Sequence, residues 1–184
     1  MFSGAKIVAN PATLEVMIEK IDILVARIEA LDIDAIVNPA NTELAPGGGA
    51  DGAIRAAAGP ELTRLLDAVG GLAEGAALAT PGFRLAARWV IHTVAPRWRA
   101  PGLEAQKIAT LRSCYSSCLT TAAEIGAEAI AFPCIGTGIF GWPKDIACSA
   151  AIGVVRAHPA PISRVAFCCF SSEDAALYRA ALRG

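Results

Sequence analysis

Four stretches of this chain are apolar without interruption: Ile36-Val37, Val90-Ile91, Ile130-Ala131-Phe132 and Val165 to Phe170. A strand with one wet face alternates apolar and polar residues, so unbroken runs call for strands covered on both sides. Helix-period segments lie between these runs. The longest, Glu104 to Ile125, repeats Ile108, Leu111, Cys114 or Tyr115, Cys118, Leu119 and Ala122 at helical spacing, and Gly126 ends it. Strands alternating with helices predict a layered α/β domain with helices on both faces of one sheet.

The patterning predicts strands over Leu14 to Ile18, Asp34 to Val37, Gly75 to Thr80, Arg88 to Val94, Ala129 to Pro133 and Arg164 to Phe170. It predicts helices over Gly52 to Ala58, Glu61 to Val69, Glu104 to Ile125, Pro143 to Arg156 and Ser172 to Leu182. Gly59-Pro60 and Gly70-Gly71 stop the first two helices, Pro81-Gly82 turns between two strands, and Ser171 or Ser172 caps the last helix. No repeat or linker interrupts the 184 residues, so residues 1–184 are read as one domain with a sizeable core.

Composition removes several function classes. Hydrophobic residues make up 54% and charged ones 18%, which excludes a disordered chain. The 16 basic and 17 acidic residues leave no basic excess for neutralising a long phosphate backbone, so nucleic acid is not an expected partner. A ligand with a single pyrophosphate remains compatible. No apolar run approaches the ~20 residues of a membrane helix, and Met1 to Pro11 lacks a secretory pattern. The six cysteines form no C-x-x-C pair and mostly sit in apolar runs, which fits buried free thiols in a reduced, cytoplasmic protein. With His92 and His158 as the only histidines, no metal site is expected.

Two glycine loops carry the chemistry. The first follows the strand ending at Val37: Asn38-Pro39-Ala40-Asn41, then Gly47-Gly48-Gly49-Ala50-Asp51-Gly52. Consecutive glycines let the backbone approach a ligand closely, and amides at a helix start bind anions. Asn41 and Asp51 add an amide and a carboxylate to this phosphate-binding element. The second loop, Gly136-Thr137-Gly138-Ile139-Phe140-Gly141, matches G-x-G-x-x-G after a strand and before a helix. A nicotinamide-cofactor fingerprint also needs an acidic residue about 20 positions on. Residues 159–165 contain no acid, so that reading fails and no cofactor is expected.

Together, Asn38-x-x-Asn41, the Gly47 to Gly52 loop, Ala56 to Leu62, Val90-Ile91-His92-Thr93-Val94 and Phe132 to Pro143 resemble a macrodomain. The likeness runs from about Asp22 to Leu182 and points to the MacroD-type branch, which includes bacterial O-acetyl-ADP-ribose deacetylases. It implies a three-layer α/β/α sandwich with a mixed central sheet and a cleft for ADP-ribose.

Carried over residue by residue, it implies that Asn41 bonds the distal ribose and that Asp51 is the catalytic aspartate. It implies phosphate contacts from Gly48, Gly49 and Gly52, and from Gly136, Thr137, Gly138 and Ile139. Phe140 would pack on the distal ribose and Phe170 would stack on adenine. Asp22-Ile23 matches the pair that follows the first strand and recognises adenine, with Ile21 standing where the family usually has glycine. His92, mid-strand in an apolar run, reads as a core histidine outside the site.

The implied activity is hydrolysis of O-acetyl-ADP-ribose, or of mono-ADP-ribose esters on acidic side chains of proteins. The alternative is a reader module that binds ADP-ribose without turnover. One departure bears on that choice. The MacroD-type pattern has histidine four residues after the aspartate, whereas this chain has Arg55. Residues four apart share a helix face, so Arg55 is expected to reach Asp51 and weaken it as a base, to contact a ligand phosphate, or to stand solvated at the surface.

Overall fold

The computed structural model describes residues 20–159 and 161–183. Its strands are β1 (Lys20–Val25), β2 (Ala35–Pro39), β3 (Ala77–Pro81), β4 (Trp89–Thr93), β5 (Ala129–Pro133) and β6 (Arg164–Cys169). They form one sheet in the order β1-β6-β5-β2-β4-β3. Every neighbouring pair is parallel except β3 with β4, so the sheet is mixed.

The helices are α1 (Gly49–Ala58), α2 (Pro60–Val69), α3 (Glu104–Glu124), α4 (Lys144–Ala157) and α5 (Ser172–Arg183). Side-chain alternation divides them between two cores. Ile36 and Val90 face Ile54, Leu62 and Leu66 of α1 and α2. Ala35, Val37, Ile91, Ile130 and Phe132 face Leu111, Leu119, Ala147 and Tyr178 of α3, α4 and α5. Ile54, Leu62 and Leu66 are fully buried, each contributing roughly 2 kcal/mol by removal from water. This is the three-layer arrangement that the unbroken apolar runs require.

Differences from expectation are local. The strand expected over Leu14 to Ile18 lies outside the described residues. The first described strand, β1, occupies a stretch to which the patterning assigned no strand. Among the described residues it pairs only with β6, and its middle residues are half-buried, so no clean alternation marks it. Helix α1 starts at Gly49, three residues before the expected Gly52, because glycine tolerates the φ of +59° found there. The α5 cap is Ser171, whose Oγ accepts from the Asp174 N–H at 3.2 Å.

The topology fixes where a ligand can sit. From β2 the chain builds toward the β4-β3 edge, and from β5 toward the β6-β1 edge. The order therefore reverses between two adjacent parallel strands, and ligands gather beyond the carboxyl ends of strands at such a point. Both glycine loops emerge there, one after β2 and one after β5.

Candidate active site

The first loop is closed by its own asparagine. Asn41 Nδ2 donates to the Ala45 carbonyl and Asn41 Oδ1 accepts from the Ala45 N–H, both at 2.9 Å. Leu44, inside that turn, has φ +55°, a left-handed conformation that costs a bulky residue energy. Its side chain is fully buried and its N–H reaches the Asn41 carbonyl at 3.0 Å, which offsets the strain. Each polar end of the Asn41 amide keeps one unused bonding position, since an amide has two donors and two lone pairs.

Beneath the loop lies Asp51, in the first turn of α1 and almost wholly buried. Its Oδ1 accepts from Asn38 Nδ2 at 2.7 Å, and its Oδ2 from the Gly47 N–H at 2.7 Å. Arg55 Nε spans both oxygens, at 3.1 and 2.9 Å. Three N–H donors thus meet the carboxylate, the single Nε proton being shared between its two oxygens. Arg55 is itself held by Leu44 O at 2.7 Å and Thr63 Oγ1 at 3.2 Å. The expected face-sharing of residues 51 and 55 therefore takes the form of a buried ion pair. Such a pair gains little net stability, because desolvation offsets attraction, but losing one partner strands a buried charge.

Behind Asp51 the polar chain continues through the sheet. Asn38 and His92 are register partners on β2 and β4, so both side chains emerge on the α1 face. Asn38 Nδ2 lies 3.1 Å from His92 Nδ1, and His92 Nε2 lies 2.9 Å from Thr80 Oγ1 on β3. Burial pushes His92 down to about 4, Arg55's charge pushes the same way, and Asp51 only partly opposes them. The imidazole is thus neutral at neutral pH.

The second loop is braced from its base. Gly136 has φ +83°, and a Cβ there would come 2.5 Å from Trp142 Cδ1, so only glycine fits. Trp142 donates from its backbone to Gly136 O at 3.1 Å and from Nε1 to Pro96 O at 2.7 Å. Thr137 Oγ1 turns back to Cys134 O at 2.9 Å. Phe140 is half-buried beneath the Arg97 guanidinium, 5.0 Å from its ring centroid. Gly138 is exposed and Ile139 is 77% exposed, at the tip. That tip faces the first loop: a Cβ built on Gly48 would lie 4.0 Å from Ile139 Cδ1. In the first loop the backbones approach closely too, since a Cβ on Gly52 would meet Gly47 O at 3.0 Å.

The structure thus brings together Asn41, Gly48, Gly49, Asp51, Gly52 and Arg55 with Gly136, Thr137, Gly138, Ile139 and Phe140. Phe170, just past β6 at the same edge, is 94% exposed. Asp22 and Ile23 are not brought to this cluster. Both lie inside β1 rather than after it, with Asp22 opposite Ala166 and its Oδ2 accepting from Arg164 Nε at 2.7 Å. Arg164 opens β6, so this ion pair belongs to the amino edge of the sheet. Ile23 packs against the larger core. The chain that reaches the carboxyl edge beside Phe170 is residues 25–27, where the Ala26 N–H donates to Cys169 O at 3.3 Å. Arg27 there pairs with Glu29, its Nε donating at 2.6 Å.

Three participants escaped the sequence reading: Asn38 as a partner of Asp51, and His92 and Thr80 behind it. The signal for Asn38 was a polar side chain ending an otherwise apolar strand. Nothing local marked Thr80. Among the described residues, no group of three or more His, Cys, Asp or Glu is placed to hold a metal ion. None of the described helices is long and apolar enough to cross a membrane. The geometry can present two sets of loop amides to a diphosphate and bring its attached sugar over Asn41 and Asp51.

The Macro domain pattern matches residues 37–151. A Macro domain-containing protein of Ralstonia nicotianae is 48% identical over 157 residues, covering 85% of this chain and 91% of that protein. An O-acetyl-ADP-ribose deacetylase of an Enterobacter species is 40% identical, covering 87% of this chain and 92% of its own. A mutant of the Oceanobacillus iheyensis macrodomain, solved with ADPR, superposes with a TM-score of 0.82 at 32% identity, covering 88% and 90% of the two chains.

Proposed function

Because the chain belongs to the Macro domain family, we propose that it hydrolyses esters of ADP-ribose. The substrates are O-acetyl-ADP-ribose or mono-ADP-ribose linked to acidic side chains of proteins. The observation that carries this reading is the buried Asp51, fixed between Asn38, Gly47 N–H and Arg55 where the two glycine loops face each other. A reader of ADP-ribose needs the loops; it does not need a carboxylate held at that cost under the first of them.

In the proposed site the amides of Gly48, Gly49 and Gly52 and of Gly136 to Ile139 hold the diphosphate. Asn41 uses its unused bonding positions on the distal ribose, Phe140 walls the sugar, and Phe170 stacks on the base. Water adds to the ester carbonyl and gives up a proton, the bond from the acyl carbon to the ribose oxygen breaks, that oxygen takes up the proton, and a carboxylic acid and ADP-ribose leave. The proton of that water needs an acceptor. Asp51 takes it at the position of its weakest-held bond, that to Arg55 Nε, which is divided between two oxygens. Otherwise a substrate phosphate takes it, with Asp51 orienting the loop. The six free cysteines fit a reducing, cytoplasmic setting.

The Arg55–Asp51 pair favours one second reading, a reader module with a silenced carboxylate. Acetate release from O-acetyl-ADP-ribose, compared among wild type, Asp51→Asn and Asn41→Ala, tests the choice. Turnover in wild type that falls by about 100-fold or more in Asp51→Asn supports the hydrolase. ADP-ribose binding with no turnover in wild type makes the protein a reader.

A further inference from the structure

The chain Asp51–Asn38–His92–Thr80 is linked by one consistent set of donors. Asn38 must turn its Nδ2 toward Asp51, because the opposite rotation would put an amide oxygen against a carboxylate. One Nδ2 proton then goes to Asp51 Oδ1 at 2.7 Å, and the other points at His92 Nδ1 at 3.1 Å. Two donors cannot share that gap, so Nδ1 is the bare, accepting nitrogen and the proton is on Nε2. Thr80 Oγ1, 2.9 Å away, accepts it and passes its own proton on to the Val90 carbonyl at 3.4 Å. Asn38 Oδ1, fully buried, has no hydrogen-bond partner among the described residues. The rotation of the amide therefore rests entirely on its two N–H bonds, one to Asp51 and one to His92.

We infer that His92 is a positioning residue for the reaction proposed above: held by Thr80, it fixes the Asn38 amide that aims Asp51. Register supports this, since Asn38 and His92 are cross-strand partners and Thr80 pairs Val90 two residues earlier on β4. All three side chains share the face that α1 covers. The inference rests on the hydrolase reading for its catalytic consequence, but its structural core is independent of turnover.

The test combines nitrogen-15 NMR of the imidazole at neutral pH with kinetics of paired variants. Wild type should show a protonated Nε2 and a bare Nδ1. His92→Gln reaches Thr80 but offers nothing at the Nδ1 position, whereas His92→Asn restores an acceptor there. His92→Gln should lower kcat by about tenfold, with KM and ADP-ribose affinity within about twofold, and His92→Asn, which regains the acceptor without the Thr80 bond, should recover part of that loss. Thr80→Val should resemble His92→Gln, and Thr80→Ser should resemble wild type, which covers the case in which a His92 variant does not fold. A protonated Nδ1 overturns the inference, as does an equal loss in His92→Gln and His92→Asn. If wild type turns over nothing, the hydrolase reading has failed. The inference is then decided by the tautomer and by whether the Asn38 side-chain amide resonances move in Thr80→Val but not in Thr80→Ser.

Discussion

Two arginine–aspartate pairs stand at opposite edges of one sheet, and the shorter one matters less. Arg164 Nε and Asp22 Oδ2 are 2.7 Å apart, with side chains 41% and 20% exposed. Arg55 Nε and Asp51 Oδ2 are 2.9 Å apart, with side chains 6% and 5% exposed. Burial works to raise Asp22, but the Arg164 hydrogen bond and the Lys20 charge together outweigh it and hold the carboxyl below its ordinary value. Water can replace either partner of that pair. At Asp51 burial keeps bulk solvent away, and Asn38, Gly47 and Arg55 hold the carboxylate in its place. What distinguishes the proposed site carboxylate from Asp22 is this exclusion of bulk solvent.

Removing one charge from each pair should have very different effects, the larger at the buried pair. Asp51→Asn should cost about 3–5 kcal/mol in denaturant unfolding, since Arg55 is left buried and unpaired. The double variant Asp51→Leu with Arg55→Met should regain most of that stability while remaining inactive. If it stays as unstable as Asp51→Asn, the loss was one of packing rather than of charge.

Acid should expose the same contrast. His92, near 4 when folded and about 6.5 when unfolded, favours folding through its neutral form. Its contribution is complete above about pH 6.5 and is lost as pH falls toward 4, for a total of about 3 kcal/mol. Unfolding curves at stepped pH should show this slope in wild type and lose it in His92→Gln.

A smaller effect tests the rim. Phe170→Ala should weaken ADP-ribose by about tenfold in calorimetric titration, as lost stacking does, and leave stability unchanged because the ring is 94% exposed. Smallest of all, Asp22→Asn or Arg164→Ala should shift stability by less than about 1 kcal/mol and leave ADP-ribose affinity where it was. A clear loss of affinity in Asp22→Asn would return that residue to the ligand site and undo the contrast.

Much of this architecture could be read from the chain because central strands and glycine loops are local signals. The runs at Val90, Ile130 and Val165 announce doubly covered strands, and a glycine at 49 or 136 announces a backbone that other residues do not tolerate. The strand β1 was not legible: its middle residues are all half-buried, so neither alternation nor a solid run marks it. Asp22-Ile23, matched to the adenine-recognising pair by resemblance, lies inside that strand, several residues before the chain reaches the carboxyl edge. The proximity of Arg55 to Asp51 followed from helical spacing, but the three-donor cradle around the carboxylate did not. It depends on Asn38 and Gly47, whose approach is set by strand register and loop closure. Thr80 is the extreme case, joined to the site only through pairing between β3 and β4.

Whether Asp51 is the hydrolytic carboxylate and Arg55 its restraint is decided by acetate release from wild type and Arg55→His, with ADP-ribose titrated alongside. Wild type should turn over and Arg55→His should be about 3- to 10-fold faster, with ADP-ribose affinity unchanged. Tight ADP-ribose binding with no acetate released by either protein would contradict that role for Asp51.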